Sequence, residues 1–265
     1  MSSMSLARAV DARYGELLDT MRGGVPRAVL STWIAAETGG DRYCVSRDPV
    51  LIECGLSQAP IARAAARDAD PFDVASAIWL ACVEAQDDAR KWALHTPEVA
   101  VRKRDLLYVV LLDYSVGSGA TKHLLAMAEA YRERAATIEG RIRWVGQSID
   151  LSASPHTGYW GRQSGALIAK RIEKKSRWLD RAADLGPFDG ASGPMPPPTR
   201  PGDAAPFPGA LSRCVLDRKA STDDHRAAWM RARAYARARR RAAGAAKAPI
   251  IWRVSRFMSR VFRTA

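Results

Sequence analysis

The sequence predicts a mainly α-helical protein: one helical body, then a proline-rich linker and a basic helical C-terminal tail. Three observations predict it. Apolar residues recur at helical spacing along most of the first 184 positions. Eight prolines fall between residues 186 and 208, including Pro196-Pro197-Pro198, a composition that cannot build a packed core. Charge also divides unevenly. Residues 213–265 hold 15 basic and three acidic side chains, a net of +12, leaving only +1 of the total +13 for residues 1–212. These breaks place the body at 1–185, the linker at 186–212 and the tail at 213–265.

The elements follow in order. A first helix is expected over 4–22, stopped by Gly23-Gly24. Pro26 suits the first helical position of a second helix, whose broad apolar face carries Ala28, Leu30, Trp33, Ile34 and Ala36. Gly39-Gly40 ends it, because glycine takes the left-handed conformation readily. A polar loop spans 38–57, with a small hairpin expected from Tyr43–Ser46 and Val50–Ile52. Asp70-Pro71-Phe72-Asp73 starts a helix toward Lys91, with Pro71 in its first turn. Pro97 opens the next, and its run Leu106, Leu107, Val109, Val110, Leu111, Leu112 is apolar on nearly all sides, so it belongs at the centre of the core. Further helices are expected over 118–138, 160–184 and, in the tail, 222–243.

Composition excludes several classes. No run of about 18 apolar residues exists to span a bilayer. The N-terminal residues have no basic start and apolar core, so no secretory leader is expected. The four cysteines, Cys44, Cys54, Cys82 and Cys214, lack paired metal spacing. They are expected to be buried free thiols, with a Cys44–Cys54 bridge as the alternative in an oxidising space. The four histidines lie 28 or more residues apart, so neither a metal nor a cofactor is expected. Gly117-Ser118-Gly119 lacks the Lys-Ser/Thr of a phosphate loop and reads as a helix-start turn. His156–Trp160 is expected to pack on the body, or to floor a sugar subsite.

The stretch from Val25 to Pro60 carries the chemistry. A helix delivers Glu37 at its C-terminal end, where the helix dipole disfavours the charged carboxylate. Desolvation by Trp33, Ile34 and Tyr114 would act in the same direction, as general acid chemistry requires.

Glu37-Thr38, with Ser46 nine residues on, resembles the first motif of soluble lytic transglycosylases and goose-type lysozyme relatives. Gly55-Leu56-Ser57-Gln58 is similar to the second, Gly-Leu-Met-Gln. Asp113-Tyr114-Ser115-Val116-Gly117 is similar to the third, Ala-Tyr-Asn-X-Gly. They come in the family order across about residues 20–130, with Thr38, Ser57 and Ser115 replacing the family's serine, methionine and asparagine. The resemblance implies a lysozyme-like fold and a peptidoglycan lytic transglycosylase, which cleaves the MurNAc-GlcNAc bond to a 1,6-anhydro product.

On that resemblance Glu37 is the catalytic acid and base, and Tyr114 bonds or orients it. Ser46, Gly55, Gln58 and Ser115 lie along the substrate cleft. A lysozyme-type hydrolase needs instead a second carboxylate to activate water, about 6.5–9.5 Å from the acid in inverting enzymes. Glu53 is the first choice, with Asp48 and Asp41 behind it. A third alternative is a catalytically weak structural or ejection component of a phage particle. The expected partner is the peptidoglycan glycan strand, and the expected place of action the bacterial cell wall. The leaderless N-terminus fits virion-borne or machine-borne delivery.

In the tail, Ile250, Val254, Phe257, Met258 and Val261 recur at helical spacing opposite Arg253, Arg256, Arg260 and Arg263. This pattern suits an anionic membrane surface or a partner assembly, ahead of nucleic acid.

Overall fold

The computed structural model describes residues 3–42, 44, 53–148, 165–180, 188, 230 and 234. The described residues are mainly α. Helices α1 (Ser3–Met21) and α2 (Arg27–Thr38) pair with each other, followed by two short strands, β1 (Glu53–Cys54) and β2 (Ala59–Pro60). Seven helices come next: α3 (Ile61–Ala66), α4 (Val74–His95), α5 (Pro97–Ala100), α6 (Lys103–Val116), α7 (Ser118–Ala128), α8 (Ile138–Ser148) and α9 (Gly165–Asp180). None of the described helices is long and apolar enough to cross a membrane.

Helix α6 holds the centre. Every residue from Leu106 to Leu112 is buried, and α4, α5, α7, α8 and α9 all pack on it. Each such aliphatic side chain contributes about 1.5–3 kcal/mol on burial, so this run dominates the core. Phe188, inside the stretch assigned to the linker, is only 1% exposed and joins the same core. The body therefore draws on at least one side chain beyond residue 185. The expected linker is otherwise outside the described residues. So is the expected tail helix, except for Met230 and Ala234, both helical.

Several boundaries differ from expectation, each for a local reason. Pro26 is the N-cap of α2 rather than its first residue, and its carbonyl accepts from the amides of Val29 and Leu30 at 3.0 and 3.1 Å. Pro71 precedes α4. The Asp73 carboxylate takes the Ser76 amide at 2.8 Å and so sets the true N-cap. The helix expected from Pro97 to Tyr114 is two, because Arg102 is extended (φ −122°, ψ 123°). The helix expected over 118–138 ends at Ala128, a 3₁₀ turn (Glu129–Tyr131) follows, and Thr137 accepts the Gly140 amide at 3.0 Å as α8 begins. Gly117, with φ 86°, is the N-cap of α7, the helix-start turn read from the sequence.

Candidate functional site

The site begins where α2 stops. Gly39 takes a left-handed conformation (φ 67°) and its amide donates to the Ala35 carbonyl at 3.1 Å. Tyr14 of α1 donates its hydroxyl to the Gly40 carbonyl at 3.1 Å, which pins this turn to the neighbouring helix. Glu37 lies in the last turn of α2, its side chain 26% exposed.

Thr38 joins the first motif to the second. Its buried hydroxyl donates to the Leu56 carbonyl at 2.9 Å, with the Ile34 carbonyl at 3.1 Å, and accepts the Gly40 amide at 3.2 Å. A serine at this position would supply the same oxygen and lack only the methyl.

The second motif is the turn of the hairpin. Strands β1 and β2 pair antiparallel, Glu53 opposite Pro60 and Cys54 opposite Ala59, with Gly55-Leu56-Ser57-Gln58 between them. Gly55 has φ 78°, and a Cβ added there would lie 1.6 Å from the Pro71 carbonyl oxygen, so packing against Pro71 demands the glycine. Gln58 also adopts a left-handed backbone (φ 55°). Its side-chain amide donates to the carbonyls of Cys44 and Gly55, both at 3.0 Å, so its N–H groups hold the loop together. Ser57 donates to the Ala77 carbonyl on α4 at 3.0 Å, which ties the turn to that helix. The hairpin expected from 43–46 and 50–52 falls almost wholly outside the described residues. The described strands lie just beyond it.

The third motif closes the unit. The Tyr114 hydroxyl is shared between the carbonyls of Ser57 and Gln58, the latter at 2.9 Å. Its ring meets Trp33 edge-on, with centroids 4.3 Å apart. The resemblance implies that Tyr114 bonds or orients Glu37. Its hydroxyl bonds the hairpin turn, and Glu37 acts on it through charge. Burial, then the charges of Glu37, Glu84 and Glu53, push the Tyr114 phenol well above its ordinary range, so it remains a neutral donor. Ser115 turns its hydroxyl back to the Leu111 carbonyl at 3.1 Å. Asp113 is buried. It accepts the Trp92 indole N–H at 2.7 Å and pairs with Lys91, anchoring this end of α6 to α4.

Of the candidate second carboxylates, Glu53 sits on β1 and shares a neighbourhood with Glu37, since both charges act on Tyr114 and on Arg171. Asp41 is buried in the turn after α2, where its backbone carbonyl accepts the Cys44 amide at 3.3 Å. Asp48 and Ser46 lie outside the described residues, as does His156–Trp160. Cys54 and Cys82 are buried free thiols, whereas Cys44 is disulfide-bonded. Cys54 being free removes the Cys44–Cys54 bridge, and Cys44 departs from the free-thiol expectation.

Helix α9 contributes what the sequence reading missed. Lys174 and Lys175 each bring Nζ within 3.8 Å of Glu37 Oε1. Lys174 is half exposed, but Lys175 is 1% exposed, and its Nζ stands 3.3 Å from the centroid of the Trp178 ring. A signal existed. Ile168, Ile172, Lys175 and Leu179 form one helical stripe, and a lysine on an apolar stripe either is buried at a cost or has a partner. The surroundings of Glu37 are therefore cationic as well as aromatic. Compared with known proteins, the chain matches no family model, no curated protein and no solved structure.

Proposed function

We propose that this protein is a peptidoglycan lytic transglycosylase acting through Glu37. One observation carries the reading. Segments that resemble the three family motifs, separated by up to 77 residues from Glu37 to Tyr114, form one hydrogen-bonded unit: Thr38 to Leu56, and Tyr114 to Ser57 and Gln58. Glu37 sits at the edge of that unit, partly open to solvent.

In the proposed reaction the Glu37 carboxyl protonates the oxygen linking MurNAc to GlcNAc, and the C1–O bond breaks. The resulting carboxylate takes the proton from the MurNAc C6 hydroxyl. Its oxygen then bonds to C1, giving the 1,6-anhydro ring without water or a second carboxylate. Hydrogen bonds to the surrounding backbone fix Tyr114 and Gln58 as walls, and Gly55 holds the turn against Pro71. The strand-shaped substrate is the glycan. The tail would bring the protein to an anionic membrane or a phage or secretion assembly.

Two readings within the same body compete. Glu53, close enough to share electrostatic neighbours with Glu37, favours a hydrolase in which it activates water. The two lysines at Glu37, with Ser115 in place of the amide, favour a catalytically weak structural component. Digestion of purified sacculi followed by muropeptide mass spectrometry separates all three. Anhydro products that vanish in Glu37→Gln support the transglycosylase, reducing ends alone move the assignment to a hydrolase, and no release from intact protein leaves the structural role.

A further inference from the structure

An acid catalyst that rests as an ion pair needs a source for its proton, and of the two ammonium groups 3.8 Å from Glu37 the buried one, Lys175, can be it. Lys175 is almost wholly buried, and among the described residues its Nζ has no hydrogen-bond partner. Glu37 Oε1, at 3.8 Å, is the anion it faces, and the Trp178 ring covers it on another side. A buried ammonium held by one carboxylate and one aromatic face is expensive to keep charged, since the ion has lost most of its hydration.

We propose that Lys175 supplies the proton that Glu37 uses: when a ligand closes Glu37 off from water, the proton moves from the Lys175 ammonium to the Glu37 carboxylate. What Glu37 then does with it rests on the transglycosylase reading above. An N–H bond breaks at Lys175 and an O–H bond forms at Glu37. An ion pair becomes a neutral amine beside a neutral acid, with no proton drawn from solvent. The acid gives that proton to the glycosidic oxygen, and the proton from the C6 hydroxyl returns to Glu37 and then to Lys175. A gap of 3.8 Å exceeds a hydrogen bond, so one water or a small side-chain rotation carries the transfer.

The other groups around the pair set the direction. Burial pushes the Lys175 ammonium well below the ordinary lysine range, Glu37 opposes that shift, and Lys174 and Arg171 on the same helix reinforce it. From β1, the Glu53 charge acts on Arg171 and on Tyr114 of α6, the phenol beside Glu37. Excluding water from Glu37 removes the solvation that holds the ion pair apart in charge, which favours the neutral pair. Lys175 touches no sugar in this scheme. It is a positioning residue for the proton on Glu37.

Arginine distinguishes this role from simple charge pairing, because a guanidinium keeps the positive charge but does not release its proton in a protein. Muropeptide release by the full chain is measured across pH 5–9 for wild type, Lys175→Arg and Lys175→Met. Both variants are expected to lose about 100-fold in rate near neutrality, the lower end of what general acid catalysis contributes. Near-wild-type release by Lys175→Arg would overturn the proposal.

A second measurement does not depend on activity. The Lys175 Nζ resonance is titrated by NMR in the full chain and in Glu37→Gln. Removing the carboxylate is expected to lower the pH at which Lys175 deprotonates, and an unmoved titration overturns the proposal even where Lys175→Arg fails to fold. Coupling in that titration with no glycan cleavage by wild type overturns the transglycosylase reading alone and keeps the proton-sharing pair.

Discussion

The Thr38 hydroxyl meets the Leu56 carbonyl at 2.9 Å, tying the end of the helix that carries Glu37 to a hairpin turn 18 residues later. Both groups are buried, so the bond holds two backbone segments in register without competition from water. Thr38→Val keeps the shape and removes the oxygen, leaving the Leu56 carbonyl and the Gly40 amide without it. The expected loss is about 1–3 kcal/mol in urea unfolding, with Thr38→Ser much closer to wild type.

Gly55 and Gly117 both have φ above +75°, but their neighbourhoods differ. A Cβ at Gly55 would overlap the Pro71 carbonyl, whereas one at Gly117 meets nothing within 4 Å. Gly117→Ala is expected to cost only the backbone strain, about 1–3 kcal/mol. Gly55→Ala adds a backbone clash and is expected to cost more, about 3 kcal/mol or above, or to prevent folding. Parallel denaturant curves rank the two, and an equal cost would contradict the Pro71 contact.

Tyr114→Phe removes a hydroxyl from two carbonyls in the hairpin turn. Stability is expected to fall by about 1 kcal/mol, within the range for losing a buried hydrogen bond. The ring contact with Trp33 survives this change, so tryptophan fluorescence should move little, while Tyr114→Ala should move it clearly.

Asp11 of α1 meets Arg27 of α2 at 2.6 Å, and Arg27 also reaches Asp19 at 2.6 Å. The Arg27 guanidinium holds the Asp11 carboxyl below its usual range. A depressed carboxylate stabilises the fold above its unfolded value of 3.8, and that contribution fades as pH falls through the lower folded value. Asp11→Asn is therefore expected to lower the melting temperature at pH 7, with the difference closing below about pH 4.

Burial pushes the Cys54 thiol up to about 12 and Cys82 higher still. Neither forms appreciable thiolate at pH 8, and thiolate is the reactive form. Iodoacetamide at that pH is expected to leave both unlabelled in the native protein and to label both after guanidinium unfolding. Rapid native labelling of Cys54 would mean that the hairpin opens.

The helices were legible because burial of an apolar stripe is a periodic constraint. The central place of α6 follows directly from an apolar run too wide for any surface helix. Boundaries were less legible where capping competed with proline signals, as at Asp73 against Pro71, because a side-chain hydrogen bond to one amide outweighs a preferred φ. Glu37, Gly55, Gln58 and Tyr114 were picked out by the resemblance of their segments to family motifs, which says nothing of their contacts in this chain. Gln58 turned inward to its own loop, and Tyr114 to the hairpin backbone rather than to Glu37.

Local pattern alone therefore determined the helical class, the central helix and the turn glycines, while the choice of Glu37 came from the resemblance of its segment to a family motif. Only the tertiary structure decided what surrounds that carboxylate. Lys174 and Lys175 lie 137 and 138 positions beyond Glu37, and nothing local in the chain links them. Packing α9 against α2 and α6 sets the ammonium of Lys175 beside Glu37, because the same helix face must bury Ile168, Ile172 and Leu179. Hydrophobic burial fixes where that face goes, and the lysine on it is carried into the site.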